Sequence, residues 1–370
     1  MVRWLSLTDA SQFLIDILET RKDAIVLTVG MQKHFCVNID QSYNEYVATA
    51  HDKRKEGAEG LLGFIRHSKA TGIVELTNFK ACLNLEDLKF GYSTKRGNKN
   101  LAGRHGEGLK IASLVMTRNR HRVRIESGKF YWSFGYRKED QETLSCRLSP
   151  IIEPKIRLAM EIERKRIAEG SPRGPTSNSW EDVTVVIGRI QGIGEKVESE
   201  EFEDWLRVSL DLHPPKKVIE TSYGSLILDH EYHGRVYLNG LTLAIHNLLE
   251  KSMEADTDEP EEALFRQYRY GYNLLRGEVN REREALKDSI ETRDFTKIWT
   301  EAIIKYPADT LKLFVDMLQE DDLCADVCHA KHCITNDVAK AIWQHLQGEE
   351  SQRQVFYHGN TNIDRVRIIC

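Results

Sequence analysis

The sequence predicts an α+β fold, and two features carry that reading. Short apolar stretches bounded by turn residues recur between residues 61 and 136, and two of them, 121–127 and 130–136, flank Ser127-Gly128-Lys129 as a hairpin. Apolar residues also recur at helical spacing, first over residues 8–24 at Phe13, Leu14, Ile17 and Leu18, and again through most of residues 285–346.

In chain order, Thr8 or Asp9 can cap the first helix, and residues 25–29 read as a strand closed by Gly30. Residues 41–56 read as a second helix. Strands follow at 61–66 and 73–76, joined by a turn at Ala70-Thr71-Gly72. A polar stretch over 92–105 precedes a short apolar helix at 108–117, which leads into the hairpin. Residues 156–169 are a charged helix, 170–179 a loop rich in Gly, Pro and Ser, and 183–187 a strand. After an acidic linker, a helix over 202–212 stops at Pro214-Pro215, and strands near 225–229 and 235–238 open a further domain. The last twenty residues carry no clear pattern, and the chain has no internal repeat.

Composition bounds the class. At 370 residues, 41% of them hydrophobic, the chain is long enough for two or three ordinary cores. A charged fraction of 29% and a net charge of −5 describe a soluble protein without the charge footprint of a dedicated nucleic-acid binder. No run reaches the roughly 18 apolar residues of a membrane helix, and MVRWLSLTDASQF lacks a signal-peptide core, so a cytoplasmic or nuclear location is expected. The seven cysteines have no framework spacing. Basic residues dominate 89–138, notably in the run Arg118-Asn119-Arg120-His121-Arg122-Val123-Arg124. Residues 195–204 and 250–262 are acidic. The basic run suits either phosphate contact or a solvated strand edge.

The sharpest local signal is Gly103-Arg104-His105-Gly106-Glu107-Gly108-Leu109-Lys110, feeding into the apolar helix at Ile111. Glycines at this spacing let backbone N–H groups approach a phosphate. The helix start adds its positive end and unpaired donors, and Lys110 adds a full charge. The order is not that of a P-loop, and the loop does not follow a strand in a parallel βαβ unit, which disfavours a dinucleotide fold. The segment Gly91-Tyr92-Ser93-Thr94-Lys95-Arg96-Gly97-Asn98-Lys99 has the composition of a mobile lid.

Ser93-Thr94-Lys95 followed by Gly103-x-x-Gly106-x-Gly108 resembles the lid and second glycine box of the GHKL ATPases, the superfamily of gyrase, the large heat-shock chaperones, histidine kinases and MutL. The resemblance implies a Bergerat two-layer α/β sandwich over residues 1–200, a transducer-like α/β domain over 201–285 and a helical region over 286–370. It implies ATP and Mg2+ as ligands, with Thr94, Lys95, Gly103, His105, Gly106, Gly108 and Lys110 at the phosphates. It also implies an upstream helix bearing Glu, then Asn, then Asp at i, i+4 and i+7. Glu45, Thr49 and Asp52 supply that spacing, with Glu45 as general base and Thr49 standing where the magnesium ligand is expected; Asp16-x-x-x-Thr20-x-x-Asp23 is the rival frame. The adenine box Asp-x-Gly-x-Gly corresponds to Asn78-Phe79-Lys80-Ala81-Cys82, with an amide for the acid and neither glycine. Thr184 fits the family's strand threonine, and Arg281 or Arg283 would read the γ-phosphate from the transducer.

Near the C-terminus, Cys324, Cys328, His329, His332 and Cys333 offer metal-ligand chemistry, but the second half of a zinc site is missing and a helical packing face is the plainer reading. The functional expectation is a slow Mg-dependent ATPase or ATP-gated switch, possible as a homodimer. The alternatives are a nucleotide-free scaffold of the same fold, or a nucleic-acid remodelling factor of the topoisomerase or MORC type acting through 118–124.

Overall fold

The computed structural model describes residues 35–55, 60–88, 108–137, 142–243, 267–277, 279, 293–319 and 324–349. The chain divides into two compact units, residues 1–213 and 214–370. Both mix helices and strands, and the first is built on a large antiparallel sheet. Among the described residues no helix is long and apolar enough to cross a membrane. The expected helix over 8–24 and strand over 25–29 lie outside the described residues.

In the first unit eight strands pair in the order β1-β2-β3-β4-β8-β5-β6-β7. They are β1 (Phe35–Gln41), β2 (Glu45–Asp52), β3 (Leu61–Ser68), β4 (Ile73–Asn78), β5 (Arg122–Ser127), β6 (Phe130–Tyr136), β7 (Leu144–Pro150) and β8 (Val183–Gly188). All neighbours are antiparallel, so the last strand in sequence is inserted between β4 and β5. Gly128 and Lys129 both have positive φ, 60° and 68°, at the β5–β6 turn, as a two-residue turn matching strand twist requires.

Among the described residues three α-helices accompany this sheet: α1 (Gly108–Arg118), α2 (Glu153–Ala168) and α3 (Ser199–Leu206). One sheet face carries Tyr46, Ala48, Ile65, Val74, Leu76, Val123, Ile125, Trp132, Phe134, Val185 and Ile187. It packs against Ala112, Val115 and Met116 of α1 and Phe202, Trp205 and Leu206 of α3. Each large side chain buried here contributes on the order of 1.5–3 kcal/mol. The opposite face carries Arg66, Glu75, Thr77, Thr184 and Tyr131. α2 and the segment after it cover part of it: Arg66 donates to the Pro175 carbonyl at 2.8 Å, and Lys155 of α2 reaches the Tyr131 hydroxyl at 2.8 Å.

The helix expected over 41–56 is a correction. This stretch is β2, with Tyr46, Ala48, Ala50 and Asp52 buried and Glu45, Val47, Thr49 and His51 half-buried in strict alternation. A turn in which the Glu45 amide donates to Ser42 Oγ at 3.1 Å joins it to β1. An apolar count fits both periods here, and pairing on both sides selects period two.

The second unit has a five-stranded sheet in the order β12-β11-β13-β10-β9: β9 (Val218–Glu220), β10 (Gly224–Ile227), β11 (Val236–Leu238), β12 (Leu241–Thr242) and β13 (Gly271–Leu274). Its α-helices among the described residues are α4 (Arg293–Lys305), α5 (Pro307–Gln319), α6 (Ala330–Cys333) and α7 (Asn336–Glu349). Leu226, Val236, Tyr272 and Leu274 of the strands share one core with Phe295, Trp299, Phe314 and Ile342 of the helices. The boundary expected at 285/286 therefore does not separate two cores. Asp326 is fully buried and pins this core: it accepts from the Arg269 amide at 2.7 Å, the Cys324 thiol at 3.1 Å and the Tyr272 hydroxyl, which in turn accepts from Trp299 Nε1 at 2.6 Å. Cys324 thus serves as a hydrogen-bond donor to a buried carboxylate.

Candidate functional site

The apolar helix anticipated after the glycine loop is α1, and Gly108 is its first residue. Three residues separate α1 from β5, and the His121 amide donates to the Met116 carbonyl at 2.9 Å, closing the helix C-terminus against the start of that strand. The helix therefore runs back over β5, and its N-terminus lies toward the Ser127 end of the sheet. Lys110, in the first turn, is buried to 6% exposure.

Asn78 closes β4 at this same end, opposite Gly63 and Val183. By strand alternation it belongs to the face that bears Val74 and Leu76, the face that α1 covers. Beyond it the chain turns at Lys80, whose φ is 52°. That is the left-handed region glycine enters freely and lysine rarely does. The backbone at Lys80 therefore follows a path that glycine adopts more readily than lysine.

Asp182 holds the turn. It is fully buried and accepts from the Lys80 amide at 3.0 Å, the Asn178 amide at 2.6 Å and Arg173 Nη2 at 2.5 Å. The Arg173 guanidinium lies 3.7 Å from the centre of the Phe79 ring. Sequence patterns gave no sign of this network, because it joins the local group Arg173, Asn178 and Asp182 to the Lys80 turn about a hundred residues away.

The other expected site residues separate. Glu45 and Thr49 lie on the sheet face opposite α1, and Asp52 lies on the α1 side, so the three do not share a face. Glu45 is half-exposed, with Oε2 3.4 Å from Arg66 Nε; Arg66 also lies 3.3 Å from Glu75. Thr49 Oγ1 donates to the Asn38 carbonyl at 3.3 Å. Asp52 accepts from Arg54 Nε at 2.9 Å and Nη2 at 2.8 Å, and these bonds pull its carboxyl down to about 2. The common face expected for Glu45, Thr49 and Asp52 is therefore corrected: i, i+4 and i+7 coincide on a helix, not on a strand. Thr184 also faces away from α1; its hydroxyl bonds Thr77 Oγ1 at 2.9 Å and Ser177 Oγ. Thr94, Lys95, Gly103, His105, Gly106, Arg281 and Arg283 lie outside the described residues.

The basic run is half neutralised. Arg120 meets Glu195 at 3.4 Å, His121 meets Glu201 at 3.0 Å and Arg124 meets Glu126 at 2.6 Å. Among the described residues no three His, Cys, Asp or Glu side chains are grouped to hold a metal ion. The fold and this site define an α+β protein with a polar turn and a helix N-terminus at one end of its antiparallel sheet. No protein-family model and no curated protein matches the chain.

Proposed function

We propose that the first unit binds ATP, in the manner of a GHKL site, at the end of the core face where α1 begins, and that it acts as an ATP-gated switch. One observation carries the reading: Asn78 and the start of α1 share one end of one sheet face, beside a turn that keeps a left-handed backbone at Lys80. The Asn78 carbonyl oxygen can accept from the adenine amino group. The N-terminal N–H groups and positive end of α1, with the Lys110 charge, favour the phosphates. Bound ATP would supply a γ-phosphate whose presence or loss sets the switch.

Glu45 takes no part in this proposal. The i, i+4, i+7 arrangement needs a helix, and the rival frame Asp16-x-x-x-Thr20-x-x-Asp23 stands in the segment whose periodicity predicts one. The described residues do not fit a Mg2+ site: they offer no acidic group of three, and the Thr49 hydroxyl is engaged by a carbonyl.

A nucleotide-free scaffold is the second reading. It is favoured by Lys80 and Cys82, whose side chains stand where the family pattern has its two glycines, and by the Lys80 amide, which Asp182 already occupies. Titrating the full chain with a fluorescent ATP analogue separates the two. Saturable binding, weakened about tenfold or more by Asn78→Ala or Lys110→Ala with circular dichroism unchanged, supports the site. Wild-type protein that shows no binding at millimolar analogue supports the scaffold.

A further inference from the structure

Segment 195–206, which carries α3, crosses the core face of the first unit under two buried histidines. From β3, His67 donates through Nε2 to the Val197 carbonyl at 2.9 Å and stacks 4.4 Å from the Phe202 ring. From the corner between α1 and β5, His121 places Nδ1 3.2 Å from the Glu195 carbonyl and Nε2 3.0 Å from Glu201 Oε1. Both partners of His121 are acceptors. A neutral imidazole has one donor nitrogen, so only the imidazolium makes both bonds while Glu201 is ionised.

The geometry points to a proton-operated latch: protonated His121 fastens α3 to the α1–β5 corner through Glu201, and loss of its proton loosens that segment. Deprotonation leaves either the Glu195 carbonyl or the Glu201 carboxylate without its donor and removes the ion pair. Because the His121 amide also closes α1, the latch sits at the far end of the helix whose N-terminus is the candidate phosphate site, and it stands whether or not nucleotide binds.

The charged surroundings favour the latch. His121 lines a cavity of about 870 Å3 that it shares with Glu195, Glu198, Glu201, Asp204, Arg189 and Lys196, four carboxylates against two fixed cations. Arg120 is turned to Glu195 at 3.4 Å, and the Trp205 ring meets the imidazole edge-on at 6.1 Å. Burial disfavours the His121 cation, but the Glu201 hydrogen bond and charge outweigh it and hold the pKa above the ordinary 6.5. His67 has Lys69, Glu198 and Glu201 as its charged neighbours, and burial holds it below 6.5. The fold thus uses one histidine as a cation and the other as a neutral donor on the same segment.

The test is made on the full chain in two parts. Imidazole proton resonances are titrated, with His121→Gln assigning the signal. The expected midpoint lies above 6.5 and falls in Glu201→Gln, which removes the charge facing Nε2. Hydrogen exchange of a peptide covering 195–206, corrected for intrinsic pH dependence, should lose about tenfold protection across that midpoint. The loss should vanish in His121→Gln and persist in His67→Gln. A wild-type midpoint at or below 6.5, or a pH-dependent loss that survives in His121→Gln, overturns the latch.

Discussion

Replacing Asp182 with alanine should be among the most costly single changes in the first unit. The carboxylate is fully buried and serves three donors: the Lys80 and Asn178 amides and the Arg173 guanidinium, whose side chain is 14% exposed. Removing one partner of a buried pair costs about 3–5 kcal/mol. Glu181 stays 3.5 Å from Arg173 and the Phe79 ring lies beneath the guanidinium, which places the expectation near the lower end, about 3 kcal/mol. With a urea slope of about 1–3 kcal/mol per molar, the midpoint should fall by about 1–3 M at unchanged slope. Asp182→Asn keeps an acceptor and should cost about half as much. A cycle with Arg173→Ala should show a coupling of about 1 kcal/mol or more. Additive single changes, or a cost for Asp182→Ala below about 1 kcal/mol, would refute the assignment of Asp182 as the pin of the Lys80 turn.

Three further outcomes follow from the same geometry. Gly188 has φ 117°, and a Cβ there would lie 2.2 Å from the Gly72 carbonyl oxygen, so Gly188→Ala should cost about 3 kcal/mol or more in thermal or urea unfolding; a neutral effect would count against the pairing of β8 with β4 at Gly188 and Ile73. Glu45→Gln removes a half-exposed ion pair on the face away from α1, so it should change stability by no more than about 1 kcal/mol and leave nucleotide affinity alone; a large loss of affinity would return Glu45 to the site. His67 is held below 6.5 by burial, so the unfolded chain takes up its proton first as pH falls. Its contribution is intact above 6.5 and shrinks from there toward the lower folded value. Urea midpoints between pH 7 and pH 5 should therefore fall less in His67→Gln than in wild type, and equal falls would reject the assignment.

What the sequence made legible was local. The β5–β6 hairpin was readable because Gly128 and Lys129 adopt the positive φ that a two-residue turn demands. The extent of α1 was readable because a glycine run ends where an apolar helical period begins. β2 was not, since Tyr46, Val47, Ala48 and Ala50 satisfy both periods and only pairing to β1 and β3 decides between them. That single choice displaced Glu45, Thr49 and Asp52 as a common ligand face. β7 and β13 carry no turn-bounded alternation strong enough to announce them, and their neighbours in the sheets define them. The Asp182 and His121 networks join residues about a hundred and about eighty positions apart, a distance at which no sequence period operates.

The proposed ATP site puts phosphate over the opening turn of α1. A crystal structure of the full chain grown with a non-hydrolysable ATP analogue at millimolar concentration tests it most directly. Phosphates are expected against the Gly108–Lys110 backbone, with the base toward Asn78. An analogue lying on the Glu45 face of the sheet, or a first unit that stays empty at saturating concentration, would contradict it.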